Sequence, residues 1–103
     1  MQVPPAVRER VVKSLLRLVG PTRAMKGCTA CATYVDVEDE NILVYVEEWE
    51  TQEALVDRLR AEDLRVLLSV MDLSSERPVV RFDTIIGTQG MEVIAAARAA
   101  AAP

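Results

Sequence analysis

The pattern of apolar residues predicts an α+β domain in which helices cover one face of a short antiparallel sheet. Three observations carry that reading. Residues 42–50, Ile-Leu-Val-Tyr-Val-Glu-Glu-Trp-Glu, alternate as a strand does, with Leu43, Tyr45, Glu47 and Trp49 on one face and Ile42, Val44, Val46 and Glu48 on the other. Residues 6–19 and 63–71 repeat their apolar positions at the spacing of an amphipathic helix. A polar break at 36–41 between two β-rich runs predicts a hairpin. Both faces of 42–50 are largely apolar, and such a strand must be covered on both sides. Helices are therefore expected on one face and another cover, such as a second subunit, on the other.

The elements follow in order. Pro5 suits a first helical turn, where its missing N–H is not needed. The helix over 6–19 carries Val7, Val11, Val12, Leu15, Leu16, Leu18 and Val19 on its buried stripe, and Gly20-Pro21 is expected to punctuate it, with room for one more turn before Gly27. Residues 28–37 read as a strand whose alternation is soft because Ala30 and Ala32 are small. The acidic stretch at 36–41 lacks the glycine and spacing of a calcium loop and reads as a solvated turn. Thr51 caps a second helix, 52 to about 60, with Leu55, Val56 and Leu59 as its apolar positions. Asp63 restarts a helix with Leu64, Leu67, Leu68 and Met71 at i, i+3, i+4 and i+7. Residues 79–86 are the third clear strand, and Thr88 caps a last helix with Met91, Val93 and Ile94 that fades into alanines at 95–102. The order is a βαββαβ unit of ferredoxin-like type with its first strand short or missing and an extra C-terminal helix.

Composition bounds what such a domain does. The 103 residues make one domain, spanning 1–103, and a chain of this size buries only about 60–65% of its unfolded surface. With 12 basic against 16 acidic side chains, a net charge of −4 and no basic stripe, nucleic acid is not an expected partner. No apolar run approaches the roughly 18 residues of a membrane span, and residues 1–5 lack a charged and then apolar leader, so a cytoplasmic protein without membrane contact is expected. Histidine is absent, which removes the commonest general base and transition-metal ligand, and no metal site is expected.

Cys28 and Cys31 match C-x-x-C by spacing, but they open a strand instead of a helix. Three apart in a regular strand, they point to opposite faces and stand about 10 Å apart, beyond the roughly 7 Å a disulfide spans. They are read as ordinary cysteines.

The residues resemble the antibiotic biosynthesis monooxygenase (ABM) family of dimeric α+β barrel proteins. The likeness covers residues 4 to 86 and is carried by Leu18-Val19-Gly20-Pro21-Thr22-Arg23-Ala24, by Gly27-Cys28 opening a strand, and by the Val37-Glu38-Asp39 turn. It continues through Val46-Glu47-Glu48-Trp49-Glu50-Thr51-Gln52-Glu53-Ala54-Leu55 to Leu64-Arg65-Val66-Leu67-Leu68. The resemblance implies a ferredoxin-like subunit that pairs sheet to sheet with its twin as a homodimer. It also implies a pocket between sheet and helices or at the mouth of the barrel. Members include oxygenases of polycyclic and quinol substrates that use no cofactor, and haem-degrading enzymes. The full first strand of the family is reduced here to Met1-Gln2-Val3, and the histidine that holds haem in some relatives is absent.

Within that frame Glu47 and Trp49 are the catalytic candidates. Trp49 would stack on an aromatic ring, and Glu47, its pKa raised by burial, would take a phenolic proton. Tyr45 and Tyr34, from adjacent strands and read as cross-strand neighbours, would bind substrate together with Leu67 and Met71, the alternative for the tyrosines being that they point to the surface. The alternative for Trp49 is that it fills a core. For Glu47 it is an ion pair with Arg23, Arg81 or another arginine that closes the barrel. Two functions stay open: a cofactor-independent monooxygenase of a quinol or polycyclic phenol, and a catalytically silent dimeric module that binds a small apolar or aromatic molecule or only its twin.

Overall fold

The structure, a computed structural model, describes residues 1–76, 78–83 and 90–101. A single 3-10 turn, Pro5–Val7, leads into α1, Arg8–Arg23, whose buried side is Val11, Leu15, Leu18, Val19 and Thr22. Gly20-Pro21 lies within this helix, and the further turn for which the sequence left room is made. Proline in the last turn forfeits only its own hydrogen bond, and the Ala24 N–H still reaches the Gly20 carbonyl at 3.2 Å.

Gly27 ends the turn after α1 with φ +85°, the left-handed region that favours glycine. A Cβ placed there would stand 2.5 Å from the Cβ of Ala54, so the same glycine lets the chain pass close to the second helix. Strand β1, Cys28–Val35, then pairs antiparallel with β2, Leu43–Trp49. The hairpin loop is closed by Asp36, whose carboxylate accepts from the N–H groups of Glu38 and Asp39 at 2.8 and 3.1 Å. These bonds are those of an Asx turn, and the loop is the solvated turn expected.

Thr51 caps α2, Gln52–Leu59, by accepting the Ala54 N–H at 3.0 Å. Helix α3, Leu64–Met71, turns Val70 into the core and half-buries Leu67, while Leu68 is 51% exposed. The buried side of α3 therefore runs through 64, 67, 70 and 71. A last helix, α4, spans Glu92–Ala101; its expected cap, Thr88, lies outside the described residues.

Residues 1–3 stand where the first strand of a ferredoxin-like sheet belongs. Gln2 bridges antiparallel to Ile42, the Met1 amine and carbonyl bond the Leu43 carbonyl and N–H at 2.6 and 2.8 Å, and the Val3 N–H bonds Asn41. On their far side the Ser75 N–H reaches the Gln2 carbonyl at 2.8 Å.

The strand expected over 79–86 is corrected where it can be seen: residues 79–83 belong to no sheet, and 84–86 lie outside the described residues. The alternation of a segment shows that it can pair, and not that a neighbour stands beside it. The radius of gyration, 17.2 Å, exceeds the roughly 13 Å of a compact chain of this length.

The core lies between the sheet and α1 and α3, where Val3, Val11, Leu15, Leu43 and Val70 are buried and Tyr45 and Leu67 pack against them. The opposite sheet face is open: Val44, Val46 and Tyr34 are 47%, 36% and 58% exposed. Among the described residues no helix is long and apolar enough to cross a membrane.

Gly20, inside α1, and Gly27, in the turn after it, should respond differently to a methyl group. Gly27→Ala meets both the left-handed backbone and the Ala54 contact and should cost about 2–4 kcal/mol. Gly20→Ala meets nothing within 4 Å beyond its chain neighbours, and its helix-propensity gain is offset in part by the Pro21 ring that follows it, so it should change stability by less than about 0.5 kcal/mol. Urea unfolding of the two variants checks both.

Candidate functional site

The site grows from the end of β2. Glu47, on the helix side of the sheet, receives four hydrogen-bond donors. The Tyr45 hydroxyl donates to Oε2 at 2.5 Å and the Trp49 indole N–H to Oε1 at 3.1 Å. Arg58 of α2 adds its Nε–H, shared between both oxygens at 3.1 Å, and an Nη2–H to Oε2 at 3.0 Å. The other arm of Arg58 donates to the Asp63 carboxylate at 2.5 Å. Arg58 is 0% exposed and is among the largest fully buried side chains. A buried guanidinium is tolerable only when its charge and donors are matched, and Glu47 and Asp63 supply that match on its two sides.

The expected alternative for Glu47 is therefore the one the structure realises, with an arginine the sequence reading did not single out. Arg23 instead bonds the Cys31 carbonyl at 2.9 Å, and Arg81 pairs with Asp83 at 2.8 Å. A signal for Arg58 existed. It lies at i+3 from Leu55, inside the stripe of α2 that faces the sheet, and it is completely buried where Leu59 is 42% exposed.

Tyr45 packs against the core and accepts a weak bond from the Cys31 thiol at 3.4 Å. Burial first, and then the hydrogen bonds with Cys31 and Glu47, raise its pKa well above the ordinary value for a phenol. Tyr45 thus stands as a donor that keeps its proton. For Arg58, burial is the largest influence and opposes the charge, but the hydrogen bonds and the negative charge of Glu47 outweigh it and hold the guanidinium more firmly protonated than a free arginine.

Tyr34 is not part of this cluster. The register sets Thr33 opposite Tyr45 and Tyr34 opposite Val44, so Tyr34 lies on the open face and the expected tyrosine pair does not form. Leu67, like Tyr45, packs against the core, and Met71 is half-buried further along α3.

The cysteines also require a correction. A bulge between Cys28 and Ala30 makes Thr29 an extra residue, so Cys28 stands opposite Trp49 and Cys31 opposite Glu47. Both side chains therefore share the helix-facing side, not opposite sides. Both thiols are free, Cys31 is buried, and burial pushes the Cys28 thiol up. No group of three metal-ligating side chains occurs among the described residues.

A hairpin sheet covered on one face by helices, with a polar cluster at the sheet–helix boundary, defines an α+β protein of ferredoxin-like type. The model of the antibiotic biosynthesis monooxygenase family matches residues 1–67, and the chain belongs to that family. Among solved structures it is similar to one described as an antibiotic biosynthesis monooxygenase, with 26% identity, a TM-score of 0.70 and coverage of 82% of this chain and 90% of that one. A conserved protein from Methanosarcina mazei Go1 shares 21% identity at a TM-score of 0.68, covering 73% of this chain and 75% of that one. Rv0793 from Mycobacterium tuberculosis shares 22% identity at a TM-score of 0.66, covering 81% and 89%. No curated protein matches the sequence.

Removing one charge of the buried pair should be far worse than removing both. Arg58→Met leaves Glu47 uncompensated and should cost about 3–5 kcal/mol, whereas the double variant Glu47→Leu/Arg58→Met should recover most of that loss. A double-mutant cycle in urea measures the difference. Tyr45 gives a separate signature in pH. Its pKa is raised on folding, so its stabilising contribution is complete below the ordinary tyrosine value of about 10 and is lost as pH climbs above it. The urea midpoint should fall more steeply above pH 10 in the wild type than in Tyr45→Phe.

Proposed function

We propose that the protein is a dimeric, small-molecule-binding member of its family in which Glu47 holds the site together instead of abstracting a proton. The observation that carries this reading is the saturation of Glu47 by Tyr45, Trp49 and Arg58. A carboxylate engaged by an arginine and two neutral donors must give up a partner before it can take a proton from substrate. The same bonds fix the orientation of the Trp49 ring at the end of β2, where it offers a face to an aromatic or apolar ligand. Tyr45 beside Glu47 on the same strand, with Leu67 and Met71 on α3, are the further residues proposed to meet the ligand. Tyr34, with Val44 and Val46, belongs instead to the open sheet face, the surface proposed to meet the second subunit. A cytoplasmic location suits two free thiols, and neither nucleic acid nor membrane is a proposed partner.

A second reading is favoured by the family and by the neighbour described as a monooxygenase. There the ligand is a quinol or polycyclic phenol that reacts with O₂ without a cofactor, Trp49 stacks on it and Glu47 accepts its proton. The two readings separate in one experiment. Naphthols and quinols should quench the fluorescence of the single tryptophan saturably, and oxygen uptake should not exceed the protein-free rate. Protein-dependent uptake that vanishes in Glu47→Gln, with quenching retained, would establish the oxygenase and overturn the binding module.

A further inference from the structure

We propose that Cys28 and Cys31 form a dithiol site that hydroperoxides oxidise reversibly to an intramolecular disulfide standing opposite Trp49. The bulge in β1 carries the inference. In a regular strand, cysteines three apart lie on opposite faces and out of reach of each other. The bulge takes Thr29 out of the alternation, so Cys28 and Cys31 occupy successive positions on the helix-facing side, opposite Trp49 and Glu47. Successive positions on one face are two residues of rise apart, roughly 6.5–7 Å, and the bend of a bulge closes that step further. A disulfide bridges Cα atoms about 4.4–6.8 Å apart, so the pair comes within its span.

Both thiols are free to move into it. The Cys28 thiol donates to the Ala30 carbonyl and the Cys31 thiol to the Tyr45 hydroxyl, each at 3.4 Å, and an S–H is a weak donor whose bond is cheaply given up. Exposure sets the order of reaction. Cys28 is half-buried and Cys31 is 2% exposed, so a hydroperoxide meets Cys28 first. The Cys28 thiolate attacks the O–O bond, sulfur keeps one oxygen as a sulfenic acid, and the other leaves as water or an alcohol. The Cys31 sulfur then displaces the sulfenic oxygen, which leaves as water with the Cys31 proton while the S–S bond forms. The two thiols lose two electrons and the peroxide gains them. Burial, and next the neighbouring Cys31, raise the Cys28 pKa, so thiolate is scarce at neutral pH and the site responds slowly, to sustained oxidant.

The disulfide reaches the polar cluster in two ways. Tyr45 loses the Cys31 donor and keeps its bond to Glu47. Trp49, the single tryptophan of the chain, gains a disulfide as its cross-strand neighbour, since opposed residues of an antiparallel pair hold their Cβ atoms about 4.5–5.5 Å apart. A disulfide accepts an electron from an excited indole, so oxidation is visible in tryptophan emission. The inference concerns the thiols alone and rests on neither the ligand nor the dimer proposed above.

The test treats the native wild-type chain with hydrogen peroxide, alkylates the remaining thiols and digests with trypsin. The peptide 27–58, released by cleavage after Lys26 and Arg58, should escape alkylation and be lighter than the reduced, unalkylated peptide by the mass of two hydrogen atoms. Trp49 emission should fall at least twofold, and dithiothreitol should reverse both changes. Cys31→Ser should stop at a Cys28 sulfenic acid that dimedone traps, with emission held at the reduced level. A peptide still alkylated at both cysteines, Cys28 driven to sulfinic or sulfonic acid without a disulfide, or a disulfide found only between chains would overturn the site, and the wild-type masses decide this whether or not the variant folds.

Discussion

The arrangement depends first on one buried charge. Arg58 is wholly enclosed between α2, α3 and the end of β2, and a guanidinium in that position is stable only because Glu47 and Asp63 take its donors on opposite sides. The two bonds tie three elements together: Glu47 belongs to β2, Arg58 to α2, and Asp63 stands at the start of α3. Asp63 makes no capping bond of its own because its carboxylate is spent on Arg58. The break between α2 and α3 is thus fixed by the same side chain that fills the space over the sheet.

The chemistry of the site follows from what that side chain displaces. The space expected to hold a ligand beside Tyr45, Glu47 and Trp49 is occupied by Arg58, and the carboxylate expected as a base is committed to four donors. The raised pKa of Tyr45 belongs to the same economy of groups, since a phenol beside an ion-paired carboxylate keeps its proton to donate it. Trp49 keeps an aromatic face whose orientation the indole bond to Glu47 sets. That arrangement is the ground on which binding, and not proton transfer, is proposed for the site.

Much of the local fold is legible in the sequence because local forces decide it. The alternation of 42–50, the Thr51 cap and the Asp36 turn each rest on contacts within a few residues, and each is realised. The parity of Cys28 and Cys31 is not legible, because the bulge at Thr29 lies among small residues that give no strong in-and-out signal. Arg58 is hidden for a related reason: a charge inside an apolar stripe reads as a boundary of the stripe, and only the position of Glu47 across the gap turns it inward. The pattern of 79–83 is that of a strand, yet these residues belong to no sheet, because pairing also needs a neighbour. Non-local partners are what the pattern of a single segment does not contain.

The central claim, that Glu47 and Arg58 form a closed structural pair at the heart of the site, is tested most directly by the Arg58 Nε–H resonance in ¹H–¹⁵N spectra at neutral pH. Its two bonds to Glu47 and its complete burial predict a resolved signal, slow in exchange with water and unmoved by saturating naphthol. A signal lost to rapid exchange, or one that shifts strongly as naphthol displaces it from Glu47, would contradict the account.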